Sequence, residues 1–141
     1  MILPITLTMA AAAALLNVWL AMRIGRLRMA KKVLMGHGGD PLIEARMRAQ
    51  SNFVEYTPFF LILLGLIELA RGSQTWLWMV AILFILARIA HPFGMERPAP
   101  NLLRAGGTLI TTLVLIGLAG YALSIPYMGK PAADAPISAP V

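Results

Sequence analysis

The chain has 141 residues, of which 59% are hydrophobic and only 13% are charged, and its mean hydropathy is +0.76. A soluble domain of this size carries roughly 25% charged residues and buries about two-thirds of its chain surface, so an ordinary soluble fold is excluded. The absence of cysteine excludes a disulfide framework, a thiolate metal site and a cysteine nucleophile, and two histidines argue against a protein metal centre.

Four apolar segments follow one another along the chain and predict four membrane-spanning helices. A helix needs roughly 20 apolar residues to cross a bilayer. The predicted spans cover residues 2–22, 49–70, 75–90 and 102–123. No basic region precedes the first segment, so we expect a retained anchor rather than a signal peptide. The sequence therefore predicts an all-α integral membrane protein, a four-helix bundle with both termini on one side of the membrane.

The segment between the first two spans carries most of the net charge, which is +6 for the whole chain. Between Arg23 and Arg48 it holds seven Lys and Arg residues against two carboxylates. Such an excess of cations is typical of a cytoplasmic loop. The glycines at 36–39 and the proline at 41 predict a turn that interrupts the helix.

The other connections are shorter or less basic. Residues 71–74 predict a brief turn between the second and third spans. The segment from His91 to Pro100 contains three prolines and predicts a second polar loop, which we expect to lie in the cytoplasm with the first. The tail over residues 126–141 is rich in Pro and Ala, and this composition predicts disorder.

Ionisable residues inside the second span indicate a site, because a charge near the bilayer centre is costly unless it is paired or faces a cavity. Arg48, Asn52 and Glu55 are spaced four and three residues apart, which places them on one helical face, and Tyr56 flanks that face. Two interpretations are open. Glu55 pairs with an arginine of another helix and sets the register of the bundle, or the face forms a polar pocket for a charged ligand.

Further ionisable residues lie near the ends of the third and fourth spans. Arg88 is the expected partner of Glu55 if the second and third spans form a hairpin. His91 is either a hydrogen-bonded residue at a helix end or part of a site, and Arg104 either extends to the lipid headgroups or joins that site. Together with Arg26, these cations gather near one membrane surface and suit an anionic ligand that carries carboxylates and a thiolate.

The stretch RAQSNFVEYTP at residues 48–58 resembles the second-helix signature of the MAPEG superfamily, the membrane-associated proteins of eicosanoid and glutathione metabolism. Three further pieces agree in order and spacing, namely Arg26-Leu27-Arg28, Arg88-Ile89-Ala90-His91 and Arg104. The resemblance covers about residues 1–125. The Gly38-Gly39 turn and the chain length are most similar to small bacterial members, many of which have no assigned substrate.

The resemblance implies a homotrimer of four-helix subunits in a bacterial inner membrane, with glutathione as co-substrate between neighbouring chains on the cytoplasmic side. Its partners would be copies of itself, membrane lipids and a lipophilic small-molecule substrate, without nucleic acid. The residues that the resemblance assigns to glutathione binding are Arg26, Arg48, Asn52, Glu55, Tyr56 and His91.

The implied roles differ between these residues. Glu55 accepts from the amino group of glutathione, and Arg48 contacts a carboxylate. Arg104 matches the arginine that stabilises the glutathione thiolate, and it is the implied catalytic residue. A cysteine-like thiol has a pKa of about 8.5, so a nearby guanidinium raises the thiolate fraction at neutral pH. The implied function is a glutathione-dependent membrane transferase or peroxidase that acts on lipophilic electrophiles or hydroperoxides.

The chain also departs from the pattern of the family. Met95 stands where synthases of the family carry a tyrosine, and of the matching positions early in the fourth helix only Thr108 is polar. A membrane scaffold or binding protein without turnover therefore stays open as an alternative. A small transporter, in which Glu55, Arg88 and His91 line a path, is a further alternative, although the sequence has neither the inverted repeats nor the broken helices typical of transporters.

Overall fold

The computed structural model describes residues 2–128 and contains four long α-helices. Helix α1 spans Pro4–Ala30, α2 spans Pro41–Arg71, α3 spans Thr75–Met95 and α4 spans Leu102–Ser124. A single 3-10 turn at Ile125–Tyr127 follows α4. All four helices are long and apolar enough to cross a membrane, and residues 2–128 contain no β-strand.

Helix α1 ends later than its predicted span, and helix α2 begins earlier than its predicted span. Helix α1 continues to Ala30, whereas the predicted span ends at residue 22. The change in hydropathy marks where the apolar stretch ends, and the helix continues because Arg, Leu, Met and Ala, which make up most of residues 23–30, are good helix formers. Helix α2 begins at Pro41, before the predicted start at residue 49. Asp40 caps it by accepting hydrogen bonds from the backbone N–H groups of Leu42 at 2.9 Å and Ile43 at 3.0 Å.

Helix α3 also extends beyond its predicted span, so the prediction of a loop that starts at His91 is wrong. His91 and Pro92 lie inside the helix, which ends at Met95. A proline inside a helix removes one backbone donor, and here the surrounding helices α2 and α4 hold the segment in place. Of the predicted tail, Pro126 belongs to the 3-10 turn, and residues 129–141 lie outside the described residues.

The helices alternate in direction, so α1 and α3 end where α2 and α4 begin. We call this part of the bundle the basic end. The Glu96 carboxylate, directly after α3, accepts hydrogen bonds from Arg23 of α1 and from Nε of Arg46 of α2, the latter at 2.8 Å. Arg46 also donates to the backbone carbonyl of Arg23 at 2.9 Å. One carboxylate therefore holds three helices together at the basic end.

At the opposite end, a buried carboxylate of α2 caps the start of α1. Glu68 is 1% exposed and accepts hydrogen bonds from the backbone N–H groups of Ile5 at 3.0 Å and Thr6 at 2.8 Å. The hydroxyls of Thr6 and Ser73 also donate to it, each at 2.7 Å. The first N–H groups of a helix lack partners within the helix, so Glu68 satisfies them and fixes α1 against α2.

Apolar packing fills the interior between these two polar ends. Helix α3 packs most extensively on α4, and α1 on α2. The rings of Phe60 and Phe84 stack with centroids 3.7 Å apart at the centre of the core. Many large apolar side chains nevertheless point outward, as expected for helices that contact lipid, among them Leu15, Phe59, Leu86, Leu113 and Ile116.

Candidate functional site

A polar cavity of about 440 Å³ opens at the basic end between α2, α3 and α4. Arginines from α2 and α4 and a carboxylate from α2 contribute to its wall. The full lining consists of Arg48, Ser51, Asn52, Glu55, His91, Met95, Arg104 and Thr108. The structure therefore brings together the predicted site residues of three helices, which the sequence places up to 56 positions apart.

The contribution of α2 follows from its apolar pattern. Ala49, Phe53 and Phe60 are buried against the bundle, which turns the polar positions of the same helix toward the cavity. Arg48 and Glu55 are exposed in the single chain, as expected for side chains that line an open cavity. The spacing of four and three residues therefore correctly predicted one shared face.

Arg88 of α3 contacts this face of α2 from the interior of the bundle. It is 1% exposed, and it donates to Oδ1 of Asn52 at 2.8 Å and to the Thr111 hydroxyl at 3.4 Å. The predicted pairing of Arg88 with Glu55 is therefore wrong, because the guanidinium reaches Asn52, one helical turn earlier on α2. No ion pair within residues 2–128 includes Glu55. The Glu55 carboxylate is thus available to a ligand. The side-chain oxygen of Asn52 already accepts from Arg88, and the side-chain N–H groups of Asn52 stay available as donors.

His91 connects α3 to the start of α4. The side chain is 3% exposed, and Nδ1 lies 3.3 Å from the backbone carbonyl oxygen of Arg104. The Thr108 hydroxyl, 3.0 Å from the same carbonyl, lies 3.5 Å from Nδ1. Because a carbonyl oxygen only accepts hydrogen bonds, the shorter contact favours the tautomer that carries the proton on Nδ1 and leaves Nε2 as an acceptor. His91 thus holds the backbone that carries Arg104.

Two glycines allow α3 and α4 to approach each other at this point. A Cβ atom on Gly94 would lie 2.2 Å from the backbone nitrogen of Arg104, and one on Gly107 would lie 2.9 Å from Cβ of His91. Any side chain at either position would push the start of α4 away from α3. The sequence prediction missed both glycines, and the only available signal was their position beside the polar residues of these helices.

The remaining predicted residues lie elsewhere. Arg26 is exposed on α1 and Tyr56 is half-buried on α2, and neither lines the cavity. Ser51, which the prediction assigned no role, does line it. Met95 also lines the cavity, so the departure from the family pattern lies in the wall itself. With Arg48 and Arg104 against the single carboxylate of Glu55, the cavity fits a ligand that carries more anionic groups than cationic ones.

Comparisons with known proteins match this chain to a family model and to curated relatives. The model of the MAPEG family matches residues 6–124, which include most of all four helices and every residue of the cavity. Two curated relatives are the inner membrane protein YecN of Escherichia coli strain K12 and that of Escherichia coli O6:H1. Each is 32% identical over 84 residues, which cover 59% of this chain and 63% of the relative. The matched region thus spans less than two-thirds of each relative.

Proposed function

Because the chain belongs to the MAPEG family, a family of four-helix membrane bundles, we propose that it is a glutathione-dependent membrane transferase or peroxidase acting on lipophilic electrophiles or hydroperoxides. The family match confirms the resemblance stated from residues 48–58 and the predicted all-α membrane fold. One observation carries the functional proposal. Polar side chains from three membrane-spanning helices line a single cavity at the basic end. The bacterial inner membrane is the proposed location, because the relatives are named inner membrane proteins.

The charges of the cavity complement those of glutathione. The tripeptide carries two carboxylates, one ammonium group and a thiol. Glu55 would accept from the ammonium group, and Arg48 would bind a carboxylate through a charge-assisted hydrogen bond. Asn52, which Arg88 holds at 2.8 Å, would add an oriented polar contact. These residues bind the tripeptide before and during the reaction, so they supply position rather than chemistry.

Arg104 would supply the chemical assistance. Its guanidinium, at the cavity wall, favours the thiolate over the thiol of a bound ligand. The thiol proton passes to solvent. In a transfer reaction, the sulfur forms a bond to an electrophilic carbon and the leaving group departs with its electron pair. In a peroxidase reaction, the sulfur attacks the terminal oxygen of the hydroperoxide and the O–O bond breaks, which gives the sulfenic acid of glutathione and an alkoxide that takes a proton from solvent and leaves as the alcohol. The thiol of a second glutathione then attacks this sulfur, which gives the disulfide and releases water.

Met95 favours a second candidate, a binding protein without turnover. The thioether lines the cavity but offers no hydrogen-bond donor, whereas a tyrosine at this position would present an O–H group. Such a protein would bind glutathione or a related anion and release it unchanged. Binding and turnover must therefore be measured separately.

A homotrimer would complete the site. Arg48, Glu55 and Arg104 are exposed in the single chain, so the cavity needs further protein to exclude lipid and water. Arg26 is exposed on α1, where it is available to the cavity of a neighbouring copy. We therefore expect three copies in each particle, as measured by the mass of the protein in mild detergent.

The test of the proposed function is calorimetry with glutathione, followed by conjugation of a generic aryl halide. Glu55→Gln and Arg48→Gln should weaken binding roughly ten- to a hundredfold, because each removes a charge-assisted hydrogen bond worth about 1.5–3 kcal/mol. The control is Arg97→Gln, which removes an exposed cation that does not line the cavity. It should leave affinity unchanged. Binding without conjugation would favour the second candidate, and absence of glutathione binding would refute the proposed transferase or peroxidase function.

A further inference from the structure

A second cavity, of about 600 Å³, lies where α1 ends and the following loop begins. None of its lining residues contributes to the polar cavity described above. Its wall combines two cations with apolar side chains and contains no carboxylate. The lining consists of Gly25, Arg28, Met29, Lys32, Val33 and Leu34. Such a mixture suits a ligand that is both anionic and apolar.

Arg28 lacks a strong hydrogen-bond acceptor. Its Nη2 donates to the thioether of Met47 at 3.3 Å, and its Nε is buried without a hydrogen-bond partner within residues 2–128. A thioether sulfur is a weak acceptor, and a buried N–H group without a partner is unfavourable. Arg28 also lines the second cavity, so an oxyanion bound there would offer its guanidinium a stronger acceptor than the thioether.

Lys32 occupies a backbone conformation that favours glycine. Helix α1 ends with hydrogen bonds from the N–H of Lys32 to the carbonyl of Met29 at 3.2 Å, and from the N–H of Val33 to the carbonyl of Arg28 at 2.9 Å. This pattern places Lys32 at φ +56°, the left-handed position where helices commonly use glycine. A lysine there retains backbone strain and places a second cation at the cavity, which indicates a role for its side chain.

Two large apolar side chains extend from the loop beside these cations. Leu34 is 99% exposed and Met35 is 88% exposed. They lie shortly after Lys31 and Lys32, beyond the end of a membrane-spanning helix. Asp40 is the only carboxylate between residues 23 and 43, and Lys31 already pairs with it. The surface therefore stays basic, while its apolar side chains lie where the headgroups of a bilayer begin.

We propose that this cavity binds an anionic phospholipid of the leaflet that faces the basic end. The lipid phosphate lies between Arg28 and Lys32, and an acyl chain follows Gly25 and Met29 along α1. Leu34 inserts between neighbouring lipids. Charge complementarity selects an anionic headgroup over a zwitterionic one. This proposal is independent of the proposed glutathione chemistry, because the two cavities share no residue.

The experiment measures lipid binding to the full chain in mild detergent by native mass spectrometry, with dioleoyl phosphatidylglycerol and dioleoyl phosphatidylcholine as probes. Phosphatidylglycerol should bind more tightly. Lys32→Gln and Arg28→Gln should each weaken its binding about tenfold, because each removes one charge-assisted contact. The control is Arg97→Gln, which removes an exposed cation of the loop after α3 that lies outside the cavity. It should change affinity less than about twofold.

A further variant separates lipid binding from folding. Lys32→Gly removes the cation but suits the left-handed backbone, so it should raise the unfolding temperature in lipid-free detergent and still weaken phosphatidylglycerol binding. Equal binding of both lipids would overturn the proposal, as would equal effects of Lys32→Gln and Arg97→Gln. Displacement of phosphatidylglycerol by millimolar inorganic phosphate would identify a site for free phosphate instead of a lipid.

Discussion

Replacing Gly107 by Ala tests whether the close approach of α3 and α4 positions the candidate site. The new Cβ would lie 2.9 Å from Cβ of His91 and 3.0 Å from the carbonyl oxygen of Ala87. Ordinary van der Waals contacts begin at 3.4 Å, whereas the new Cβ would lie 2.9 Å from Cβ of His91. The helices must therefore separate by about 0.5 Å. Such overpacking costs about 1–3 kcal/mol.

The neighbouring Gly106 provides a matched control, because a Cβ there would have no atom within 4 Å. Replacing a glycine inside a helix by Ala generally stabilises by about 0.5–1 kcal/mol, a gain that both variants share. Gly106→Ala should therefore stabilise the protein. The free energies of unfolding of the two variants should differ by the overpacking cost, about 1–3 kcal/mol.

The assay for this pair is unfolding in detergent, followed through the fluorescence of the three tryptophans, together with glutathione-dependent turnover. A shift of α4 displaces Arg104 from the other side chains of the cavity, so turnover of Gly107→Ala should fall roughly tenfold. Gly106→Ala should retain the parent turnover. Equal stability and equal turnover in the two variants would refute the role given to the helix contact.

Two further predictions concern carboxylates that cap helices. Glu68→Ala leaves the buried N–H groups of Ile5 and Thr6 without an acceptor, so it should lower the free energy of unfolding by about 2–4 kcal/mol. The exposed control Glu44→Ala should change it by less than about 0.5 kcal/mol. The hydrogen bond from Lys31 holds the pKa of Asp40 below its usual value, so the capping contribution is present above the ordinary carboxyl pKa and disappears as pH falls through the lowered one. Hydrogen exchange in the first turn of α2 should therefore accelerate in acid, and Asp40→Asn should remove that acid dependence.

Much of the bundle could be predicted from the sequence because local composition is sufficient to recognise a membrane-spanning helix. Twenty apolar residues need no tertiary information to be recognised as a span. The bounds at Ala30 and Pro41 could not be predicted in this way, since hydropathy reports where the apolar stretch ends and not where the helix does. Pro92 was also a misleading signal. A proline disfavours a helix locally, but packing against neighbouring helices keeps α3 helical through this residue.

Within the site, the spacing of Arg48, Asn52 and Glu55 predicted one face, because helical geometry alone determines it. The partner of Arg88 could not be predicted in the same way. Whether a long side chain reaches Asn52 or a residue one turn later depends on the offset between two helices, and that offset depends on packing. The contribution of glycines such as Gly107 could not be predicted for the same reason. The effect of a missing side chain depends on which atoms of the neighbouring helix lie opposite it.

The most direct test of the central claim is the ultraviolet absorbance of thiolate in glutathione bound to the protein at neutral pH. The parent should show it, because the Arg104 guanidinium at the cavity wall favours the anionic sulfur. Arg104→Gln should bind the thiol form of the tripeptide with nearly the parent affinity but lose both the thiolate signal and turnover, whereas Glu55→Gln should lose affinity. A thiolate signal and turnover that survive in Arg104→Gln, together with unchanged affinity in Glu55→Gln, would contradict the assignment of this cavity as a thiol site.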